Sequence, residues 1–221
     1  MREARAMEHV RQLTTIPIPR VHWAFVRDGR RYIVMDRVKG QTLRAAKISD
    51  LSILHNIAQS VISYQRQLEA LGASCRSLGS WPEGPYRNSY FAPALQETMI
   101  GIEEPGVFQS VVDFHNYWRV RLGRGAVLLP PEDSLDGPSA DAVLMHADLN
   151  DHNIMVENGA ITAILDWETL GWYPRFWDNL LLRSGAIWSQ SWSEVILSEW
   201  GEMVEPERSY STALGRFWSL G

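Results

Sequence analysis

Lysine and cysteine are nearly missing from this chain. Among 221 residues only Lys39 and Lys47 are lysine, against 19 arginines, and Cys75 is the single cysteine. One cysteine excludes an internal disulfide and a thiolate metal cluster, and suits a reducing compartment. Two lysines confine any mechanism that needs an ammonium group to two positions. No run approaches the roughly 18 apolar residues of a membrane span. The charged N-terminal stretch MREARAMEHVRQ has no apolar signal-peptide core. A net charge of −5 leaves no basic footprint for a phosphate backbone. The expectation is a soluble, cytoplasmic protein with neither nucleic acid nor membrane as a partner.

What is present is enough apolar content, 45% of residues, to bury a sizeable core in one domain or slightly more. Ala6, Met7, Val10 and Leu13 recur at helical spacing until the prolines of TTIPIPRV, so a short helix opens the chain. VHWAFV and RYIVMD flank Arg27-Asp28-Gly29-Arg30, the pattern of a β-hairpin. From Asp50 to Leu71 a single apolar face carries Leu54, Ile57, Ala58, Val61, Ile62 and Leu68, with Ser49 or Asp50 as N-cap and Gly72 as stop. Residues 73 to 108 read as an irregular connection with one short helical turn. Ser110 and Asp113 form a capping-box-like start for a helix through Leu122. Later, AVLM, IMV and AITAIL are short strands, the last two joined by a turn at Asn158-Gly159. Pro174 suits the first turn of a helix to about Ser184, and residues 191 to 203 predict another.

The informative stretch is His146-Ala147-Asp148-Leu149-Asn150-Asp151-His152-Asn153, with Asp166 thirteen residues further on. Asp148 precedes a turn, Asn153 opens a strand and Asp166 ends the partner strand, so one end of the hairpin gathers all three. Carboxylate and amide oxygens at that end suit a hard divalent cation such as Mg²⁺. A second carboxylate can take a proton from an attacking hydroxyl. A calcium loop is excluded because Asn153 and Gly159 stand where its Gly and Glu are needed. His146, His152 and Asp148 do not have zinc-site spacing.

HADLNDHNIMV…ITAILDWETLGWYP resembles the catalytic and metal-binding motifs of the aminoglycoside phosphotransferase and choline kinase-like group, particularly its fungal members. These enzymes have a protein-kinase-like fold. The resemblance implies an α+β fold with a mostly helical large lobe. It also implies that Asp148 is the catalytic base and that His146 braces the catalytic loop. Asn153 and Asp166 would be Mg²⁺ ligands, Met35, Asp36 and Arg37 would form the hinge that meets adenine, and Glu3 would be the helix's ion-pair glutamate. Such enzymes carry a Gly-rich hairpin and a strand lysine ahead of that helix. Here the helix opens the sequence, both lysines follow the hinge, and Gly123-Arg124-Gly125 reads as a mid-chain turn. Residues 1–38 are therefore expected to be the remnant of a truncated small lobe and 39–221 the large lobe.

Three functions stay open. One is transfer of a phosphoryl group from ATP, with Mg²⁺, to a small-molecule hydroxyl. Another is a kinase fold repurposed as a lyase, isomerase or cyclase of secondary metabolism, needing no cofactor. The third is a non-catalytic pseudokinase that only binds. Seven of the ten tryptophans follow Leu165; most are expected in the core, while Glu168, Trp172, Tyr173 and Trp177 are the candidates for an acceptor pocket. An exposed apolar face on the small-lobe remnant predicts a homodimer.

Overall fold

In the computed structural model, Ala4, Ala6, Met7 and Val10 form the buried stripe of helix α1 (Arg2–Leu13). The structure describes residues 1–72, 77–86, 91–92, 104–135, 141–184 and 190–218; Cys75 and Trp188 lie outside them. Strands β1 (Val21–Arg27) and β2 (Arg30–Met35) follow as a two-stranded antiparallel sheet. Asp28 and Gly29 both take positive φ, 50° and 73°, the geometry a tight two-residue hairpin turn requires. β3 (Gln41–Thr42) leads into the single turn α2 (Leu43–Ala46) and then the long helix α3 (Leu51–Gly72). Asp50 starts α3 by accepting from the Ser52 N–H at 2.9 Å. The face predicted from sequence is buried at Leu54, Ile57, Ala58, Val61 and Leu68.

Beyond the short β4 (Gly79–Ser80), helix α4 (Val111–Leu122) has the expected reciprocal cap. Ser110 Oγ accepts from Asp113 N and Asp113 Oδ2 accepts from Gln109 N, each at 3.1 Å. Strands β5 (Ala142–Met145), β6 (Ile154–Glu157), β7 (Ala160–Ile164) and β8 (Gly171–Pro174) precede helices α5 (Trp177–Ser184), α6 (Gln190–Trp200) and α7 (Glu207–Trp218). β6 pairs with β3 on one side and β7 on the other, and β8 lies between β4 and β5. The architecture is α+β. Two sequence expectations need correction. Pro174 ends β8 opposite Ala142 and does not start a helix; β4 reaches only Gly171 and Trp172, so the missing proline N–H faces no strand. α7 was not anticipated.

Strand alternation in β5 divides the interior into two cores. Leu144 joins α1, α3, β6, β7 and α6 in the first, while Val143 and Met145 face the second, an aromatic cluster that includes Phe91, Phe114, Trp118, Tyr173, Trp177 and Tyr210. Gly72 lets α3 approach this strand, since a Cβ there would come within 2.5 Å of the Leu144 Cβ. The loop after β5 is thus anchored from both sides. Among the described residues no helix is long and apolar enough to cross a membrane.

Candidate functional site

The chain leaves β5 at His146, which is fully buried. Its Nε2 donates to the Leu165 carbonyl at 2.9 Å, its own carbonyl accepts from Thr169 Oγ1 at 2.6 Å, and its ring meets Trp167 edge-on at 4.7 Å. Burial pulls its pKa down to about 4, so the ring is neutral at physiological pH. His146 therefore braces the loop; it does not face the space where a substrate would sit. Ala147 follows at φ +60°, and its N–H donates to the carboxylate of Asp178 on α5, which is itself 4% exposed.

Asp148 is held from two directions. Asn150 Nδ2 donates to its Oδ1 at 2.8 Å, and Asn153 Nδ2 donates to its Oδ2 at 2.8 Å and to its main-chain carbonyl at 2.9 Å. Burial raises its pKa to about 6, helped by the charges of Asp166 and Glu168 and opposed by the two amide donors. Fully buried Asp151 anchors the other side of the loop, its carbonyl accepting from Arg44 N at 3.0 Å and its carboxylate lying 3.4 Å from Arg44 Nε. The contributions of Asn150, Asp151 and Asp178 were missed in sequence. Only the Asp-x-Asn spacing hinted at the first; the others depend on long-range packing.

The β6–β7 pairing carries Asp166 to the same end. Leu165 N donates to the Asn153 carbonyl at 2.8 Å, setting Asp166 next to Asn153, and Asp166 takes a left-handed conformation at φ +61° with its side chain exposed. Because Asn153 spends its amide nitrogen on Asp148, its Oδ1 is left as a ligand oxygen at the end of the hairpin that also carries Asp166. That pair fits Mg²⁺, which binds through one or two protein oxygens with water and substrate phosphates filling the octahedron. Among the described residues no group of three or more His, Cys, Asp or Glu converges to hold a metal without such phosphates.

Beside this end lies a cavity of about 400 Å³ lined by Met1, Arg2, Glu3, Arg31, Ile33, Glu168 and Thr169. Glu3 is pushed upward by burial first and then by Asp166 and Glu168, and it makes no ion pair among the described residues. Of the four acceptor-pocket candidates only Glu168 lines the cavity. Tyr173 and Trp177 are fully buried in the aromatic core, with Tyr173 Oη donating to the Thr169 carbonyl at 2.9 Å. Trp172 packs against the first core. Met35, Asp36 and Arg37 are exposed at the end of β2. Asp36 N donates to the Arg20 carbonyl at 2.9 Å, and its carboxylate bonds His22 at 2.8 Å.

A family model described as "Phosphotransferase enzyme family" matches residues 1–210. Among solved structures, a thermostable mutant of aminoglycoside phosphotransferase APH(4)-Ia, in ternary complex with AMP-PNP and hygromycin B, superposes with a TM-score of 0.61 at 17% identity, covering 96% of this chain and 72% of that one. Aminoglycoside-3'-phosphotransferase of type VIII gives 0.59 at 19%, covering 97% and 78%. Macrolide 2'-phosphotransferase MphH from Brachybacterium faecium gives 0.51 at 19%, covering 99% and 70%. These similarities show a protein-kinase-like fold. No curated protein matches the chain.

Proposed function

The chain belongs to the phosphotransferase enzyme family, and from that premise we propose that it transfers the γ-phosphoryl group of ATP, with Mg²⁺, to a hydroxyl of a small molecule. The observation that carries this reading is the clamp of Asn150 and Asn153 on Asp148 next to Asp166. Asp148 is the general base. It accepts the proton of the acceptor hydroxyl as that oxygen bonds to phosphorus and the bond to the ADP oxygen breaks. A carboxylate poised near pH 6 is ionised at neutral pH and still basic enough to share that proton. Asn153 Oδ1 and the Asp166 carboxylate would hold Mg²⁺, which when bound would supply positive charge to neutralise the phosphate oxygens.

The loop's scaffold gives the base its position: His146, Arg44 and Asp178 fix the backbone, and the two amides fix the carboxylate. Asp148, Asp166, Glu168 and Glu3 create a negative field that opposes an anionic nucleotide arriving without its metal. Arg2 and Arg31 supply positive charge on the cavity wall. The cavity volume is within the range of small-molecule sites, and the likeness to aminoglycoside and macrolide phosphotransferases supports a hydroxyl-bearing acceptor. Met35, Asp36 and Arg37 are the adenine-facing hinge in this reading, and the cytoplasm is the compartment that supplies ATP.

Calorimetric titration with Mg²⁺-ATP tests it. Micromolar to low-millimolar binding, lost in Asp166→Ala, is expected; no binding at several millimolar overturns the reading. A nucleotide-independent reaction at Asp148 is the second reading, favoured because neither Lys39 nor Lys47 lines the cavity beside Asp166. Turnover of a metabolite without nucleotide or metal, abolished in Asp148→Asn, would establish it. A chain with no turnover under either condition would be a binding protein.

A further inference from the structure

The turn between β6 and β7 consists of Asn158 and Gly159, both at positive φ, 53° and 77°, with Glu157 paired to Ala160 across it. In such a turn the closing pair exchanges its own backbone groups, and the N–H of the second turn residue lies outside the ladder. Among the described residues neither the Gly159 N–H nor the Asn158 carboxamide makes a hydrogen bond. Asn158 is exposed and borders, with Gln41, Ile48 and Glu157, an open cavity of about 410 Å³, so water reaches it. The fold demands glycine at 159: besides the positive φ, a Cβ there would lie 3.2 Å from Ile53 Cγ2 on α3. It makes no such demand for asparagine at 158. Aspartate or glycine also suits that place, and Asp28 holds the equivalent position in the β1–β2 turn. Of the seven asparagines in the chain only Asn158 precedes a glycine.

We propose that Asn158 is a site of spontaneous covalent modification, at which the folded chain converts asparagine to isoaspartate. The Gly159 nitrogen gives up its proton and bonds to Asn158 Cγ, closing a succinimide ring; the Cγ–Nδ2 bond breaks and Nδ2, taking up a proton, leaves as ammonia. Water then opens the ring. Attack at Asn158 Cγ yields aspartate, whereas attack at the main-chain carbonyl carbon leaves the chain running through Cβ and Cγ as isoaspartate. With hydrogen in place of a Cβ on Gly159, nothing crowds the attacking nitrogen. The Asn158 ψ has to rotate out of the turn for the attack, and an exposed turn held by one closing pair opens at little cost. The isoaspartyl link lengthens the main chain by one carbon within a turn whose register depends on having two residues, and it sets a free carboxylate beside Glu157. The strands it joins lead at their other ends to Asn153 and Asp166. Modification therefore loosens the hairpin that brings those two residues together.

Ageing the intact chain at mildly alkaline pH, followed by glutamyl-specific digestion and mass spectrometry, tests this. Cleavage after Glu157 and Glu168 releases residues 158–168, in which Asn158 is the only asparagine. That peptide should gain the mass of an NH₂ group exchanged for OH, with isoaspartate in excess over aspartate by electron-transfer fragmentation. The native chain should convert at a rate within about tenfold of the urea-unfolded chain, because the turn protects the bond so little. Asn158→Gly keeps a turn-forming pair and should show no conversion there. After ageing, the wild-type chain should unfold about 2 °C or more below its fresh form. Asn158→Gly aged in parallel should hold its midpoint, and fresh Asn158→Asp, which has the charge on an ordinary main chain, should match fresh wild type. A native peptide left unmodified once the unfolded chain has converted, a mass gain confined to another asparagine, or an aged wild-type chain as stable as the fresh one overturns the proposal.

Discussion

Asn153 grips Asp148 twice through one amide nitrogen, at 2.9 Å to the main-chain carbonyl and 2.8 Å to Oδ2. The same side chain thereby keeps its oxygen out of the contact with Asp148, at the end of the hairpin that also carries Asp166. Two duties on one residue can be separated by substitution. Asn153→Ala loses both and should lower kcat by about a hundredfold while raising the Mg²⁺ concentration needed for half-maximal rate. Asn153→Asp keeps an oxygen ligand but cannot donate to Asp148, so kcat should fall with the Mg²⁺ requirement unchanged or lower. Equal Mg²⁺ dependence in Asn153→Ala and wild type would remove Asn153 from the metal site.

Asp148 is held upward, near 6, chiefly by burial and then by Asp166 and Glu168 against the pull of two amides. As a base it works only when ionised, so kcat/KM should rise with pH and level off above an apparent pKa close to 6. Glu168→Gln removes one of the charges that raise it, and the midpoint should move to lower pH. An upward shift, or a profile flat between pH 5 and about 8, would show that another group sets the rate.

Tyr173 and Trp177 distinguish core from pocket. Tyr173 stacks on Tyr86 at 4.5 Å and lies parallel to Trp177 at 6.3 Å, enclosed by the second core. Tyr173→Phe breaks the 2.9 Å bond to the Thr169 carbonyl and should destabilise the fold by about 1 kcal/mol. KM for the acceptor should be unchanged. Urea denaturation and steady-state kinetics on the one variant decide between the roles: a raised KM with normal stability would return Tyr173 to the pocket.

These two side chains also mark where sequence reading stops. The α3 face, the Ser110 cap, both two-residue turns and the convergence of Asp148, Asn153 and Asp166 were legible because each is fixed by neighbours a few residues away. Tyr173 and Trp177 follow Asp166 closely, which suggested a pocket. Their partners Tyr86 and Phe91 come from a Gly- and Pro-rich stretch with no periodicity to predict its packing. Pro174 was read by its helix preference, and pairing with β5 overrode it. Arg2, Glu3 and Arg31 reach the cavity only because α1 and the hairpin fold over the Trp167–Thr169 turn.

Asp178 couples the site to stability. Its carboxylate accepts from Ala147 N beneath the loop and is pushed up to about 8 by burial first, then by Glu69 and Asp148. Its ordinary value is 3.8, so between these two pH values the folded chain keeps a proton that the unfolded chain releases. The contribution is therefore full below the unfolded value and is lost as pH rises through about 8. From this group alone, unfolding free energy should fall by on the order of a few kcal/mol across that interval. Asp178→Asn keeps an oxygen to accept from Ala147 N while removing the titration, so its stability should depend less on pH and exceed that of wild type at the alkaline end. Asp178→Ala leaves the Ala147 N–H unpaired and should be less stable than Asp178→Asn at every pH. Urea titrations of the three proteins across the interval give both comparisons, and an undiminished slope in Asp178→Asn would place the titrating group elsewhere.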